Sequence, residues 1–299
     1  MIRLMKQLAL IGPTASGKTS LSITLAKVLD AVILSLDSLS IYRGIDIASA
    51  KPTAAEREGI PHFGIDLLLP NESFDVTTYI KLYHEVRSLA EKEDRWLIIV
   101  GGTSFYLKML LEGISDIPSI SPKVQEEVQA QLTDLTAAHA LLTQIDPKSM
   151  SQIMSADRYR IEKMLGLYLQ TGESPTEYFA AHPPKPVITD PLPVYEVSVE
   201  RSLLRKNIGL RTHKMLAEGL IDEVATLEKC YGRSPHSMKA IGIKETLAFL
   251  DGAYDRDKLA EEISVHTGRL AKRQETFNRS QFRQKFRGTT KEILAEILT

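Results

Sequence analysis

The chain has 299 residues, of which 43% are hydrophobic and 25% are charged, and its formal net charge is −1 at pH 7. This composition is typical of a soluble globular protein of one large or two smaller domains, and it lacks the overall positive charge that would by itself indicate a nucleic-acid partner. The single cysteine, Cys230, excludes an internal disulfide framework and a multi-cysteine zinc site. No apolar run reaches the ~18 residues of a membrane span, and no signal peptide precedes the first strand pattern. We therefore expect a cytoplasmic protein without a membrane segment.

The first third of the chain alternates short apolar runs with helical patterns. Apolar runs at 8–12, 31–38 and 95–102 predict strands. Helical spacing predicts one helix that ends near Leu29, one over 75–91, and one over 103–113 that Gly113 closes. Strands that alternate with helices predict an α/β fold with a parallel sheet flanked by helices.

The composition then changes to that of a helical insertion. Residues 115–122 form a linker, and Ser121-Pro122 is typical of a helix cap followed by a first-turn proline. Helical patterning continues to about residue 171, a second linker covers 180–186, and the run 194–200 predicts a strand that rejoins the sheet. The predicted domains are therefore a core of residues 1–117 and 189–299 and an inserted all-helical domain of residues 118–188.

The last third is predicted to be helical, over 203–218, over 242–250, and from 256 to beyond 282. Between 267 and 287 it carries seven basic residues against one acid, Glu275. Such segregated charge indicates a polyanion partner, and a solvated helix face explains it equally well. Arg279, Arg283 and Arg287 recur every four residues, so they are predicted to line one helix face, with Phe277, Phe282 and Phe286 in the core.

A phosphate-binding motif lies between the first strand and the first helix. Residues 12–19 match G-x-x-x-x-G-K-[ST] at every fixed position, in the context that this motif requires. Its backbone N–H groups and the helix N-terminus form an anion site, the lysine adds a charge, and the threonine hydroxyl is predicted to bind Mg²⁺. The predicted diphosphate-binding residues of this P-loop are Gly12, Pro13, Thr14, Ala15, Ser16, Gly17, Lys18 and Thr19.

P-loop NTPases usually carry an acidic residue directly after an apolar strand. Two strands could supply such a residue here, and only one of them does. The strand that ends at Val100 is followed by Gly101-Gly102-Thr103, whereas the second strand is followed by Asp37. An acid at that place in small P-loop kinases often faces the phosphate acceptor, so Asp37 is predicted to be a general base. A helix cap or a metal-shell aspartate is the alternative.

Six phrases in a fixed order resemble the tRNA dimethylallyltransferases, also called tRNA isopentenyltransferases, of the bacterial type. They are GPTASGKT, DSLSIYRGIDIASAKP, IPHFGID, VGGTSFYLKMLLEG, KAIGIKE and AKRQETFNR, and they extend from residue 12 to residue 279. The resemblance implies transfer of a dimethylallyl group from dimethylallyl diphosphate to N6 of the adenosine 3′-adjacent to the anticodon, in tRNAs that read codons beginning with U. It also implies that the helical insertion grips the anticodon stem-loop, and we expect a monomer.

The resemblance also implies roles for single residues. Asp37 matches the family's base, Thr103 the residue that supports the amine or the diphosphate, and Arg211 an arginine that reaches the diphosphate. As a sequence feature alone, Arg211 is better explained as a solvated helix residue, and the resemblance gives the two interpretations equal weight. Tyr159, Lys163 and Ile243 stand where the family usually has Gln, Arg and Tyr. The implied tRNA-binding residues are Asp37, Ser38, Leu39, Ser40, Tyr159, Arg160, Ile161, Glu162, Lys163, Lys239, Ala240, Ile241, Gly242, Ile243, Lys244, Arg269, Lys272, Arg273 and Arg279.

Two other functions compete with prenyl transfer. The P-loop and Asp37 also suit a small-molecule kinase that uses ATP. A nucleotide-dependent RNA-binding switch without transfer chemistry is the second alternative. The group that is transferred to the acceptor distinguishes all three.

Overall fold

Six parallel strands form one sheet in the computed structural model, which describes residues 6–253 and 255–299. The strands are β1 (Gln7–Ile11), β2 (Ala31–Ser35), β3 (His62–Phe63), β4 (Trp96–Gly101), β5 (Val194–Val197) and β6 (Phe286–Gly288). Their order across the sheet is β3-β2-β4-β1-β5-β6. All five residues of β1 are buried, which is expected of a central strand with helices on both faces.

Helices follow the strands and cover the sheet. Those outside the insertion are α1 (Lys18–Leu29), α2 (Ala54–Arg57), α3 (Val76–Lys92), α4 (Ser104–Glu112), α10 (Arg201–Ala217), α11 (Leu220–Tyr231), a 3₁₀ turn (His236–Lys239), α12 (Ile243–Leu250), α13 (Arg256–Gln281) and α14 (Thr290–Leu298). The core between sheet and helices includes Leu10, Leu25 and Ile33, with Ile293 of α14 packed into the same cluster. Within the described residues, no helix has the length and apolar character needed to cross a membrane.

The chain divides into two compact units, one of residues 6–110 and 188–299 and the other of residues 111–187. The second unit is helical, with α5 (Pro122–Gln131), α6 (Leu135–Ile145), α7 (Pro147–Met150), α8 (Arg158–Thr171) and α9 (Pro175–Ala181). Its own core contains Val128, Leu142, Ile161 and Leu165. Serine and aspartate caps begin its helices, for example Ser121, whose hydroxyl accepts the N–H of Val124.

The α/β fold class predicted from the sequence is confirmed, and several boundaries differ. The division lies at residue 111 rather than 118 and at 188 rather than 189. The predicted continuation of α13 beyond Phe282 is wrong, because the helix ends at Gln281 and the chain returns to the sheet as β6, where Tyr195 pairs with Phe286. Arg283 and Arg287 therefore do not share a helix face with Arg279. Phe282 is buried and Phe286 packs against the core, as predicted.

The strand order determines where polar side chains meet. The P-loop follows β1, Asp37 follows β2 and Thr103 follows β4, and these three strands are neighbours in the order β2-β4-β1. Because parallel strands end at the same edge of a sheet, the three segments share one crevice. The sheet thus assembles residues that are far apart in the sequence.

Candidate active site

A cavity of about 370 Å³ opens at this edge of the sheet. The P-loop, Asp37 and Thr103 form one part of its wall, and side chains from α10 and α13, including Arg211 and Gln274, form another. The apolar residues Ile33, Ile65 and Ile263 also line it. A concave site with a few polar groups among apolar ones is the usual form of a small-molecule site.

The backbone of the P-loop has the conformation of an anion site. Gly12 has φ +149°, and a Cβ there would lie 2.8 Å from the carbonyl oxygen of Val197. Ala15 has φ +60° and Gly17 has φ +89°, both in the left-handed region. Helix α1 begins at Lys18 without a side-chain cap. Its first N–H groups are therefore available to a bound anion.

Lys18 is buried at the base of the loop, where Nζ donates to the carbonyl oxygen of Pro13 at 2.5 Å and to Ser16 Oγ at 3.3 Å. Burial and, to a smaller extent, the positive charge of Arg211 lower the pKa of Lys18, the carboxylate of Asp37 opposes both effects, and the resulting pKa is about 7. A buried cation beside another cation favours the arrival of an anion. The site is therefore electrostatically prepared for a multiply charged phosphate.

Arg211 faces the P-loop rather than solvent. Its Nη1 donates to Thr14 Oγ1 at 3.0 Å and its Nη2 to the carbonyl oxygen of Ser49 at 3.4 Å. Burial lowers the pKa of Arg211 and the carboxylate of Asp37 opposes this. Since Asp37 influences the pKa of both Lys18 and Arg211, its carboxylate and the two cations act within one electrostatic environment.

One carboxylate oxygen of Asp37 stabilises a turn and the other is free to act. Oδ1 accepts the N–H groups of Leu39 at 2.8 Å and Ser40 at 3.2 Å. Oδ2 has no hydrogen-bond partner in the part of the chain that the structure describes, and Asp37 is partly exposed in the cavity wall. Oδ1 thus caps a turn, not a helix as the alternative interpretation had it, and the second oxygen is left for an acceptor.

Thr103 lies beside the Asp37 turn. Its N–H donates to the carbonyl oxygen of Leu36 at 3.1 Å, and its Oγ1 accepts the N–H of Ser38 at 3.4 Å. These contacts join the loop after β4 to the loop after β2. Thr103 is therefore close to the predicted base, and its hydroxyl lines the same cavity.

The oxygen donors near the P-loop fit a magnesium ion that is held mainly by a substrate. Thr19 is exposed at the start of α1 and its side chain lines the cavity. In the described residues there is no cluster of three or more His, Cys, Asp or Glu side chains that could hold a metal ion. Mg²⁺ usually takes one or two protein ligands together with phosphate oxygens and waters, and Thr19 meets that requirement.

Residues 159–163 divide between the surface and the core of the helical unit. Tyr159 is 70% exposed, Lys163 Nζ lies 5.7 Å from the centroid of its ring, and Arg160 is exposed beside Asp157. Glu162 is partly buried and accepts a hydrogen bond from Gln129. Ile161 is completely buried in the core of the unit, so of this predicted tRNA-binding residue only the backbone is left to face a ligand.

Residues 239–244 also separate into two groups. Ala240, Ile241 and Gly242 line the cavity, and Lys239 and Lys244 are exposed. Ile243 is completely buried at the start of α12, so a side-chain contact between Ile243 and tRNA is excluded here. Backbone groups and the two lysines are what this segment offers to a ligand.

Helix α13 presents its predicted cations to solvent. Arg269, Lys272, Arg273 and Arg279 are exposed, and none has an ion pair within residues 6–253 and 255–299. Arg269 and Lys272 line a groove of about 450 Å³ together with Arg201 and Arg205 of α10. The two α10 arginines were not predicted from the sequence, although they are spaced four residues apart.

Further residues of the site escaped the sequence analysis. The side chain of Gln274 accepts the N–H of Thr14 at 2.9 Å, and Asn207 Nδ2 donates to the carbonyl oxygen of Ala15 at 3.2 Å. Gln274 stands in the phrase AKRQETFNR, which had been interpreted through its charges alone. Its helical spacing from Thr267 and Leu270, which also line the cavity, is the signal that could have identified it.

Comparisons with known proteins agree on one family. The family model described as IPP transferase matches residues 40–281. The chain is 58% identical over 288 residues to a tRNA dimethylallyltransferase of Sulfurovum sp., covering 96% of each chain. It is 49% identical to a protein of the same name from Sulfurimonas denitrificans, covering 93% of each.

Solved structures give the same result. The full-length tRNA isopentenylpyrophosphate transferase of Bacillus halodurans has a TM-score of 0.70 and 32% identity, covering 98% of this chain and 94% of that one. A eukaryotic dimethylallyltransferase whose structure is described as acting on tRNA has a TM-score of 0.81 and 25% identity, covering 91% of this chain and 70% of that one.

Proposed function

The chain belongs to the IPP transferase family, and from this premise we propose that it transfers a dimethylallyl group from dimethylallyl diphosphate to a tRNA. The acceptor is N6 of the adenosine 3′-adjacent to the anticodon in tRNAs that read U-starting codons. The observation that carries this proposal is the shared cavity, in which the carboxylate of Asp37 faces the same space as Lys18 and Arg211 of the phosphate site.

The P-loop binds the diphosphate, which is the leaving group. The bond between the first carbon of the allyl group and the diphosphate oxygen breaks, and the electron pair remains on that oxygen. Lys18, Arg211 and the N–H groups at the start of α1 stabilise the developing negative charge. The buried position of Lys18 strengthens this interaction, because the effective dielectric constant is lower than in water.

Asp37 accepts the proton of the acceptor amine. The lone pair of N6 is delocalised into the adenine ring, so the amine becomes an effective nucleophile only as its proton leaves. As the new bond between N6 and the allyl carbon forms, the proton moves to the unpaired Oδ2 of Asp37, and Thr103 supports the same region. The adenine must leave its stack to reach this cavity, which is feasible for an unpaired base of an anticodon loop.

The proposal also includes a magnesium ion and the surfaces that bind the tRNA. Thr19 and the diphosphate oxygens would hold Mg²⁺, which supplies charge neutralisation of the diphosphate when bound. The exposed cations of α13 bind phosphates of the tRNA, and the helical unit of residues 111–187 grips the anticodon stem-loop through its exposed residues near Tyr159. We expect a monomer in the cytoplasm.

The kinase alternative explains less of the site. A kinase breaks a phosphorus–oxygen bond, and P-loop NTPases use an acid after a strand to hold the metal. Here β4 is followed by Gly101-Gly102-Thr103, so that acid is missing. Allyl transfer breaks a carbon–oxygen bond and does not require a water or hydroxyl aimed at a terminal phosphate.

The transferred group tests the proposal directly. We would incubate the purified protein with an anticodon stem-loop RNA and labelled dimethylallyl diphosphate, and in parallel with labelled ATP. The proposal expects an adenosine that is heavier by one dimethylallyl group and no transfer of the ATP label. RNA binding without any modified adenosine would support the binding-switch alternative, and movement of only the ATP label would support a kinase. Lys18→Ala, which lacks the P-loop lysine, is the control: it should leave the RNA unmodified.

A further inference from the structure

Gln274 is fixed in one orientation by a backbone donor. Its side-chain Oε1 accepts the N–H of Thr14 at 2.9 Å. A backbone N–H can only donate, so the amide oxygen must face the P-loop and the amide nitrogen must face away from it. The orientation of this amide therefore follows from the chemistry of its partner.

The amide nitrogen lies against the loop that carries Thr103. A Cβ added to Gly102 would be 2.4 Å from Gln274 Nε2 and 3.2 Å from its Cδ. The side chain thus occupies the space that the missing side chain of Gly102 leaves open, next to the residue in contact with Ser38. Gln274 spans the gap between the diphosphate site and the Asp37 turn.

Nε2 has two N–H donors and no hydrogen-bond partner in the described parts of the chain, although Gln274 lines the cavity. Unlike the side-chain atoms of Asn278 and Tyr79 that also lack partners, this nitrogen is not fully buried. An accessible donor in a substrate cavity is suited to an acceptor on the substrate.

We propose that Gln274 positions the acceptor base, by donating from Nε2 to one of the two adenine ring nitrogens nearest the reacting amine, N1 or N7. This inference rests on the proposed function, because it assumes that N6 lies at Asp37. N1 is bonded to C6, the carbon that bears the amine, and N7 is bonded to the neighbouring carbon C5; both nitrogens are hydrogen-bond acceptors. The same side chain then connects the two substrates, since its oxygen supports the P-loop and its nitrogen orients the base.

Substituted RNA provides the test. Anticodon stem-loops would carry adenosine, 1-deazaadenosine or 7-deazaadenosine at the target position, each replacing one ring nitrogen by a C–H group. The readout is kcat/KM for the RNA under saturating dimethylallyl diphosphate, measured for the wild-type protein and for Gln274→Met. We expect one of the two analogues to lower kcat/KM of the wild type by about five- to tenfold beyond its effect on the variant, as the loss of one hydrogen bond predicts.

The comparison between proteins removes the intrinsic effect of each analogue on the amine. If both analogues change kcat/KM by the same factor in the wild type and in Gln274→Met, the proposed contact does not exist. Gln274→Glu, which keeps an oxygen for the N–H of Thr14 and loses the donor, replaces the Met variant should that variant fail to fold. Affinity for inorganic diphosphate, measured separately, reports the effect of each substitution on the P-loop.

The outcomes also separate this inference from the proposed function. Absence of transfer to the unmodified adenosine RNA by the wild type would contradict the function itself. Normal transfer with no difference between the proteins in their response to the analogues would contradict only the role of Gln274.

Discussion

The guanidinium of Arg211 donates to the hydroxyl of Thr14 at 3.0 Å, which connects the middle of α10 to the P-loop. Asn207, one turn earlier on the same helix, donates to the carbonyl oxygen of Ala15. The P-loop is thus held from outside by a helix that lies almost two hundred residues later in the sequence. The phosphate site therefore depends on the packing of α10 as well as on the motif.

Arg211→Ala is expected to raise the KM for dimethylallyl diphosphate by about 10- to 100-fold, because the charge-assisted hydrogen bond that we propose between this buried guanidinium and the diphosphate would be lost. The affinity for the RNA should change little. Lys206→Ala on the same helix, where Lys206 is exposed, is the matched control for loss of a positive charge. If the KM for dimethylallyl diphosphate equals that of the control variant, Arg211 does not bind the diphosphate.

Asp37→Asn separates the base from the turn. Asparagine keeps an Oδ1 that accepts the N–H groups of Leu39 and Ser40, and it cannot take the proton of the amine. We expect the single-turnover rate to fall by about 10²–10⁴-fold with unchanged RNA affinity and thermal stability. Asp37→Ala should show the same fall in the single-turnover rate. Its free energy of unfolding should also decrease by about 1 kcal/mol, since the turn loses its cap. An Asn variant with a normal rate would mean that another group accepts the proton.

Donor binding should depend on pH through Lys18, whose pKa is lowered to about 7. As the pH rises through 7 the free protein loses this proton, whereas the negative diphosphate keeps Lys18 protonated in the complex. The complex therefore holds more protons, and affinity falls as pH rises, with a Kd that increases up to about tenfold per pH unit above 7. Titration calorimetry between pH 7.5 and 9 in two buffers of different ionisation enthalpy measures this as uptake of up to one proton. No proton uptake in this range would contradict the proposed link to Lys18.

The sequence predicted the elements whose signals are local. The P-loop motif, the strands around it and the caps of α5 lie within a few residues of the features that specify them. The place of Asp37 at the carboxyl end of the sheet was also predicted, from its position after a strand. By contrast, the end of α13 at Gln281 depends on the pairing of Tyr195 with Phe286, which are far apart in the sequence, and nothing near Phe282 marks the end of a helix.

The cavity residues that lie in local motifs were predicted from the sequence. Most of those that reach the cavity from distant helices were not. Arg211 was recognised only through the family resemblance, because an arginine on a helix is usually solvated. Gln274 had no local signal apart from its helical spacing, since its place in the site depends on contacts with Thr14 and Gly102, which are far away in the sequence. Ile161 was predicted from its motif position, and the packing of the helical unit, which buries its side chain, leaves no signal in that motif.

Residues Tyr159 and Ile161 should respond to substitution in opposite ways. The ring of Tyr159 is 70% exposed and Ile161 is completely buried. We expect Tyr159→Ala to weaken binding of the anticodon stem-loop, by about 1–3 kcal/mol if the ring stacks on a base, without lowering the melting temperature. Ile161→Ala should instead cost about 2–5 kcal/mol of unfolding free energy in this unit. Thermal melting and fluorescence anisotropy with labelled RNA measure the two effects; unchanged RNA affinity in Tyr159→Ala would exclude the predicted contact.

Arg273 tests whether the exposed cations of α13 bind phosphates. If Arg273 contacts one phosphate, RNA binding by the Arg273→Ala variant releases about one counterion fewer than binding by the wild type. The slope of log K against log salt concentration then becomes less steep by about 0.7–0.9. The weakening should be similar for RNAs of different loop sequence, because a phosphate contact carries no sequence information. Lys229→Ala, which removes an exposed charge on α11, is the control. A slope for Arg273→Ala that equals the slope of this control would show that Arg273 belongs to a solvated helix face, because a lost phosphate contact must change the number of released ions.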